Sequence, residues 1–188
     1  MGFEDSFSSF PVIETERLIL RNIKPEDEKR IFMHFSDADV IRYLDVRHMK
    51  DMTEASEFIN KSIKAFNNQE MIQWAVTLKG DDTFIGRCYC HEFFMKSRSL
   101  MGYDLSRNYW GMGIGKEVVK AVMKFCFHEM GLHRLQALVY PQNIPSINLL
   151  QKLEFVNEGL LREFDYHFGE KNFKDVYMFA CLKSQYDS

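Results

Sequence analysis

The chain has 188 residues, a length typical of a single domain, and 46% of them are hydrophobic, enough for a buried core. Charged residues make up 27%, and 24 basic against 27 acidic side chains give a net charge of -3. This balance excludes a general binder of polyanions such as nucleic acid, which would carry a positive field. It leaves room for a local basic site for one phosphate-bearing cofactor, and for a cationic partner.

The sequence carries no sign of a membrane or secreted protein. No segment approaches the run of about 18 apolar residues that a membrane-spanning helix needs. The first ten residues, MGFEDSFSSF, include acidic residues and lack an apolar core, so we expect no signal peptide. The four cysteines form no CxxC pair, and a site from Cys88, Cys90 and His91 would lack a second pair of metal ligands. We therefore expect reduced, mostly buried thiols, no metal and a cytoplasmic location.

The hydrophobic pattern predicts about seven strands and four helices. The predicted strands cover about residues 15–23, 71–79, 83–94, 99–105, 133–140, 155–168 and 174–183. The predicted helices cover about residues 25–36, 53–67, 114–130 and 144–153. Early hairpins followed by a strand–helix–strand unit indicate the α/β (α+β) class with a mixed sheet, in a single domain over residues 1–188 with a core of about 14–183.

Capping residues and one polar stripe define the predicted helices more closely. Thr53 and its neighbours are expected to begin the second helix, and Gly131 to end the third. Asn143 is expected to cap the fourth, with Ser146 in its first turn. In the third helix the polar positions recur every fourth residue and the rest is apolar, so we expect it to lie mostly buried against a sheet.

Residues 103–116, YDLSRNYWGMGIGK, contain the pattern richest in chemistry. A predicted strand ends, Gly111, Gly113 and Gly115 follow at alternate positions, and a helix begins. Backbone N–H groups at the positive end of such a helix can converge on an anion such as a diphosphate. The segment is neither a Walker A loop nor a GxGxxG fingerprint, because it lacks Gly-Lys-Ser/Thr and the required spacing. Alone, the pattern also fits glycines that pack a buried helix closely against a sheet.

At this point the sequence resembles the GNAT N-acetyltransferases, specifically the RimJ/RimL-like branch that acetylates the N-termini of ribosomal proteins. The resemblance spans about residues 14–182. It implies the GNAT fold, a mixed and centrally splayed sheet flanked by four helices, with acetyl-CoA bound where two neighbouring parallel strands part. Here those strands would be about 99–105 and 133–140. The segments that carry it are 14–21 (ETERLILR), 84–86 (FIG), 102–105 (GYDL), 109–115 (YWGMGIG), 131–134 (GLHR), 143–155 (NIPSINLLQKLEF), 158–162 (EGLLR) and 175–177 (DVY).

The resemblance also implies which residues hold acetyl-CoA. The family's pyrophosphate loop falls on residues 110–116, and its first position, often Gln or Arg, is Trp110 here. This departure matters little if the backbone does the binding, with help from the Lys116 side chain. The backbone of Asp104 and Leu105 would bond the pantetheine arm like a missing strand partner, and Asn143 would hold it from the other side. The implied pyrophosphate donors are the backbone amides of Met112, Gly113, Gly115 and Lys116.

The catalytic residues follow the same resemblance. Many GNAT enzymes use a Tyr as acid, but its position is Leu150 here, so we do not expect that mechanism. The ribosomal-protein branch instead places a Ser of an Asn-x-x-Ser motif near the sulfur, which is Ser146 in this sequence. The acidic base of that branch lies nineteen positions later and corresponds to Asp165. No metal is implied.

Each catalytic assignment has an alternative. Ser146 could bond its own helix backbone, and Asp165 could be a solvated strand carboxylate that needs a bridging water to act. Glu163 and His167 are predicted on the same strand face and are rival bases, although a lone His is more often a surface or packed residue. Residues 35–49 lie where GNAT proteins often build the acceptor wall, but an ordinary connection between helices fits them too.

We therefore expect acetyl transfer from acetyl-CoA to a primary amine by direct attack in a ternary complex. The expected acceptor is the N-terminal α-amine of a protein or peptide. Its pKa of about 7.7–8.0 lies well below the 10.4 of lysine, which makes deprotonation about 3.4 kcal/mol easier, so a weak base suffices. A small amine such as an antibiotic, a polyamine or an amino-acid-like compound is one alternative, and a non-catalytic acyl-CoA sensor is another. We expect a monomer or homodimer, with no nucleic-acid or membrane partner.

Overall fold

The fold is a mixed sheet with helices on both faces, seen in a computed structural model that describes residues 2–187. Within these residues eight strands form one sheet in the order β1-β2-β3-β4-β5-β6-β8-β7. Only β5 and β6 pair in parallel, and the class predicted from the sequence is confirmed. The strands are β1 (Ile13–Glu14), β2 (Leu18–Asn22), β3 (Met71–Leu78), β4 (Asp81–Phe94), β5 (Arg98–Leu105), β6 (Arg134–Val139), β7 (Val156–His167) and β8 (Asn172–Leu182).

The four predicted helices are present, together with two short ones. Across residues 2–187 the α-helices are α1 (Glu28–Phe35), α2 (Ala38–Ile41), α3 (Met52–Asn67), α4 (Ile114–Lys124), α5 (Ile144–Lys152) and α6 (Lys183–Tyr186). A π-helix, Phe125–Glu129, extends α4. None of these helices combines the length and the apolar character that crossing a bilayer requires.

The eighth strand is β1, which precedes the predicted strand 15–23, and that predicted strand begins only at Leu18 in the structure. The Thr15 N–H donates to the Leu18 carbonyl at 3.0 Å, so residues 15–17 turn and separate β1 from β2. The cap of α3 is a second difference, since the Asp51 side chain, not Thr53, accepts the first-turn N–H groups of Thr53 and Glu54. An ionised carboxylate at this position also interacts favourably with the helix dipole.

Two hydrophobic clusters occupy opposite faces of the sheet. Neighbouring residues of β3 divide between them, with Trp74 and Val76 in the larger cluster and Ala75 in the smaller, as expected where successive side chains point to opposite faces. The larger cluster contains the apolar side of α4, and the smaller contains α1 and α3. The lysines of α4 are exposed, which confirms the predicted narrow polar stripe. All four cysteines are free and buried, as predicted.

The sheet opens between β5 and β6. Pairing runs from Arg98↔Arg134 and ends at Leu100↔Gln136. Because β5 continues to Leu105 and β6 to Val139, their C-terminal halves part and leave two facing backbone edges without a strand partner. The central splay inferred from the resemblance is therefore confirmed.

Candidate functional site

The glycine segment forms a left-handed turn at the start of α4. Gly111 and Gly113 have φ angles of +73° and +77°, a backbone conformation that only glycine adopts without strain. Gly113 is the residue that caps the helix and has no side chain to accept its first N–H groups. These donors stay open at the positive end of the helix, which is the arrangement that binds an anion.

Gly115 has a different role, and the packing interpretation of the glycine pattern applies to this position. A Cβ added at Gly115 would lie 3.2 Å from Leu149 and 3.7 Å from Leu105. The absence of a side chain there lets the start of α4 pack against α5 and β5, as a structural glycine does.

Residues of the turn before β2 bond the glycine segment and the start of α4. Arg17 donates from Nη1 to the Met112 carbonyl at 3.1 Å and from Nε to Glu117 Oε2 at 2.7 Å. Glu117 lies in the first turns of α4 and also accepts from the Thr15 hydroxyl at 2.6 Å. Partial burial acts to raise the pKa of Glu117, but the hydrogen bonds from Thr15 and Arg17 outweigh it and lower that pKa. These contacts fix the loop to the edge of the sheet.

The free edge of β5 offers backbone groups on alternate residues. Ser106 N–H bonds the Ile85 carbonyl of β4 at 2.8 Å, whereas the Leu105 carbonyl accepts from the Trp110 indole at 2.7 Å. The backbone N–H and C=O groups of successive residues point to opposite edges of a strand. Like Ser106, Asp104 therefore directs these groups towards β4, and Tyr103 and Leu105 direct theirs into the opening. The partners expected for pantetheine therefore change from Asp104 and Leu105 to Tyr103 and Leu105.

The Asp104 side chain belongs instead to a buried polar network. Its two oxygens accept from Arg87 Nε at 2.8 Å and pair with His34 Nε2 at 2.6 Å. The other ring nitrogen of His34 lies 2.8 Å from the Ser106 hydroxyl. Burial acts to raise the pKa of Asp104, but the charge of Arg87 and the hydrogen bond with His34 lower it. The network ties α1 to the strand that borders the opening.

Ser146 stands in the first turn of α5, as predicted, but its hydroxyl does not bond the helix backbone. Asn143 Oδ1 caps the helix by accepting the Ser146 N–H at 3.3 Å. The Ser146 hydroxyl lies 2.8 Å from the hydroxyl of Tyr103 on β5. Burial raises the pKa of Tyr103 to about 12, and the hydrogen bond with Ser146 only partly opposes this.

Asp165 has a matching partner on the other parting strand. The hydroxyl of Tyr140, the residue directly after β6, donates to Asp165 Oδ2. Burial raises the pKa of Tyr140, and the carboxylate of Asp165 raises it further, with smaller contributions from the charges of Asp45 and Glu170. Ser146 and Asp165 are thus each joined to a tyrosine, one on β5 and one directly after β6.

The two rival bases differ from the expectation. A register shift between Leu161 and Asp165 breaks the regular alternation of β7, and Glu163 has a φ of +48° there, so Glu163 does not share a regular strand face with His167. His167 is buried, with Nε2 3.1 Å from the Arg42 carbonyl and Nδ1 accepting the Glu170 N–H at 3.1 Å. With both ring nitrogens held by backbone groups, His167 is a packed residue and has no nitrogen left for a base.

Residues 42–47 contact the C-terminal end of β7. The Arg42 carbonyl contacts His167, and the Arg47 guanidinium lies 5.1 Å from the centre of the Phe168 ring. These contacts hold the connection between α2 and α3, part of the segment 35–49, against the end of β7. A groove of about 450 Å³ begins where the strands part, and its lining residues are Glu92, Phe93, Phe94, Arg98, Leu100, Gln136, Leu138, Phe164 and Met178.

Sequence reasoning missed both tyrosines and the support from Arg17. Tyr103 and Arg17 fall inside the segments that carry the resemblance, GYDL and ETERLILR. The sequence therefore indicated that these segments matter, but not what the two residues do. Their roles depend on partners more than 40 positions away, Ser146 for Tyr103 and Glu117 for Arg17, and no local pattern names such partners.

The chain matches known acetyltransferases over most of its length. The family described as "Acetyltransferase (GNAT) domain" matches residues 17–156. A protein of Bacillus licheniformis named "Uncharacterized N-acetyltransferase p20" is 35% identical over 173 residues, which cover 92% of this chain and 96% of that protein.

Solved structures share the fold at lower identity. RimJ of Mycobacterium smegmatis, in complex with CoA-disulfide, superposes with a TM-score of 0.82 at 19% identity, covering 91% of this chain and 84% of that one. The spermidine N-acetyltransferase of Vibrio cholerae, in complex with CoA and spermine, gives 0.80 at 19% identity, covering 93% and 100%. The splayed strands, the glycine turn and the matched family together identify the chain as a member of the GNAT family of N-acetyltransferases.

Proposed function

We propose that this protein transfers the acetyl group of acetyl-CoA to the N-terminal α-amine of a protein or peptide, as in the RimJ/RimL-like branch. The observation that carries the proposal is the opening between β5 and β6. Beside it lies the start of α4, whose first N–H groups have no side-chain acceptor. On the borders of the opening, tyrosines hold Ser146 and Asp165. An opening with unpaired backbone edges and an anion-binding helix end suits a long ligand with a pyrophosphate.

Acetyl-CoA supplies the thioester, and the residues around the opening fit its parts. The backbone amides of Met112, Gly113, Gly115 and Lys116 would hold the pyrophosphate, and the exposed Lys116 side chain would add positive charge. The backbone of Tyr103 and Leu105 would bond the pantetheine arm. Since Asn143 uses Oδ1 to cap α5, it would meet the pantetheine with its amide nitrogen.

The reaction needs a neutral amine and a stabilised leaving group. Asp165 would accept the amine proton through a water molecule, because an aspartate side chain is short and the α-amine, with a pKa of about 7.7–8.0, needs only a weak base. Ser146 would donate a hydrogen bond to the sulfur as the thiolate leaves. The amine nitrogen bonds the acetyl carbon, the carbon–sulfur bond breaks, and the one proton that the amine loses moves through the water to Asp165 and from there to solvent.

The shape of the groove favours a peptide acceptor. Leu100 and Gln136, the last residues paired across β5 and β6, both line it. Its other lining residues are mostly apolar, with one acidic and one basic side chain, Glu92 and Arg98. An extended peptide could lie along such a surface with its terminal amine at the opening. The structural likeness to RimJ supports this acceptor.

A polyamine is the second candidate. The Asp165 carboxylate accepts from the Tyr140 hydroxyl, and the charge of Asp45 also raises the pKa of Tyr140. Negative charge at that point suits an acceptor with several ammonium groups. The likeness to a spermidine N-acetyltransferase supports this alternative.

An assay of thiol release from acetyl-CoA separates these functions. The acceptor panel contains peptides with different first residues, the same peptides with a blocked N-terminus, spermidine, spermine and an aminoglycoside. We expect turnover with free peptides and none with blocked ones, and mass spectrometry should place the acetyl group on the α-amine. Turnover with polyamines alone would favour the second candidate. Tight CoA binding without release for any amine would indicate a sensor.

A further inference from the structure

Tyr103 and Ser146 form a pair of hydroxyl groups at the border of the opening. Resting on the proposed function, we infer that Tyr103 is a positioning residue that directs the Ser146 hydroxyl to the sulfur of acetyl-CoA. The family resemblance supplied Ser146 alone. Tyr103 comes from a different element, β5, and contacts Ser146 across 43 positions of the chain at 2.8 Å.

The location of the pair supports this role. Tyr103 lies beyond Leu100, where the pairing of β5 with β6 ends, and its backbone faces the opening along which pantetheine is proposed to run. Its ring packs against the larger hydrophobic cluster, and this packing fixes the direction of the hydroxyl. Ser146 is held from the other side, because its N–H is bonded to Asn143 at 3.3 Å. Both partners are therefore positioned before any ligand arrives.

Counting protons shows what the pair offers. Two hydroxyl groups carry two protons, and one proton lies between the two oxygens, so one O–H group stays free to donate. A phenol is a stronger acid than an aliphatic alcohol and hence the stronger donor, so Tyr103 donates to Ser146. The free proton then belongs to Ser146. The hydrogen bond from Tyr103 polarises the Ser146 O–H group and makes it a stronger donor.

The pair stabilises the thiolate without giving up a proton. Tyr103 has a pKa of about 12, and a thiol has a pKa near 8.5, so a proton on Tyr103 would not pass to the thiolate. As the carbon–sulfur bond breaks, the electron pair stays on sulfur and the Ser146 O–H donates a hydrogen bond to it. Water protonates the thiolate after release, and Tyr103 and Ser146 remain neutral throughout.

A double-mutant cycle tests the inference, with the acceptor that turns over fastest in the peptide panel. We expect Ser146→Ala to lower kcat by about 10- to 100-fold and Tyr103→Phe by about 5-fold, as for a hydrogen bond to a charged group and to a neutral one. The double variant should match Ser146→Ala, because Tyr103 acts through Ser146. The KM for acetyl-CoA should stay unchanged. Independent, multiplying effects, or a Tyr103→Phe variant with wild-type kcat, would overturn the inference.

Two further measurements separate this role from damage to the fold and from failure of the proposed function. Tyr177→Phe is the matched control, since Tyr177 is also half-buried against the same cluster, and it should keep wild-type kcat and melting temperature. Ultraviolet absorbance of the thiolate gives the pKa of the CoA thiol in the binary complex and requires no acceptor. We expect Tyr103→Phe and Ser146→Ala each to raise that pKa relative to wild type. If no amine turns over but this rise is seen, the proposed function fails and the inference stands. If amines turn over but the pKa is the same in all variants, the inference fails alone.

Discussion

Replacing Gly113 with alanine tests how the glycine turn binds CoA, and the chain contains a matched control. Gly113 and Gly131 share a φ of +77° and lie at opposite ends of the same helical segment. An added Cβ at Gly113 would approach nothing closer than Arg17 at 3.7 Å, and at Gly131 nothing lies within 4 Å. Space is therefore no obstacle at either position, and the cost of alanine is conformational, about 1–2 kcal/mol.

The conformational cost should lower the stability of both variants but weaken CoA binding only in Gly113→Ala. We expect Gly113→Ala and Gly131→Ala each to lower the free energy of unfolding by about 1 kcal/mol. Any relaxation of residue 113 away from its left-handed conformation also turns its N–H away from the anion. We therefore expect the Kd for CoA to rise about 5- to 25-fold in Gly113→Ala, the equivalent of 1–2 kcal/mol, and to stay within about 2-fold of wild type in Gly131→Ala.

Titration calorimetry with CoA and urea unfolding of both variants measure the two effects. The reasoning is refuted if Gly113→Ala binds CoA as tightly as wild type while losing stability, because the donors would then not depend on the left-handed turn. It is equally refuted if Gly131→Ala weakens CoA binding as much as Gly113→Ala, since the effect would then come from general destabilisation.

Four more predictions concern residues around the opening. Asp104→Ala leaves the buried Arg87 charge without its partner and should lower the free energy of unfolding by about 3–5 kcal/mol in urea; a loss below about 1 kcal/mol would contradict a paired network. Because folding lowers the pKa of Asp104, its contribution is present above about pH 4 and is lost as pH falls through the folded pKa, so Asp104→Asn should show a flatter dependence of stability on acidic pH than wild type. Arg17→Met removes a hydrogen bond to the glycine loop and should raise the KM for acetyl-CoA about 5-fold with kcat unchanged; a fall in kcat alone would contradict it. Trp110 is exposed while Trp74, the other tryptophan, is fully buried, so CoA should change the fluorescence of the wild type but not of Trp110→Phe, and an equal change in both would show that CoA binds elsewhere.

Local patterns were enough to predict most of the elements. The long helices and strands agree with the structure to within a few residues because each contains a regular hydrophobic period, as in α4, whose large apolar side chains are all buried. Asn143 could be identified as a cap from the sequence because its bond to the Ser146 N–H spans only three positions. Features of this kind involve only neighbours in the chain.

Predictions failed where the outcome depends on distant partners. The predicted strand 15–23 begins only at Leu18 because Thr15 and Arg17 turn to meet Glu117, about a hundred positions later. For His167 the sequence left both a base and a packed residue open, and the contact with the Arg42 carbonyl, 125 positions away, decides for the packed residue. Asp104 faces β4 because of the register between the two strands, which a single strand sequence does not contain.

The sequence by itself determined the family, the class of fold and the glycine turn, because each is encoded in segments of contiguous residues. The tertiary structure alone decided what surrounds the two candidate catalytic residues. Tyr103 and Tyr140 come from strands that lie side by side only after β5 and β6 pair at their first residues and then part. Their hydroxyls reach Ser146 and Asp165 across 43 and 25 positions, a separation that packing of the sheet and helices bridges and that no spacing in the sequence reveals.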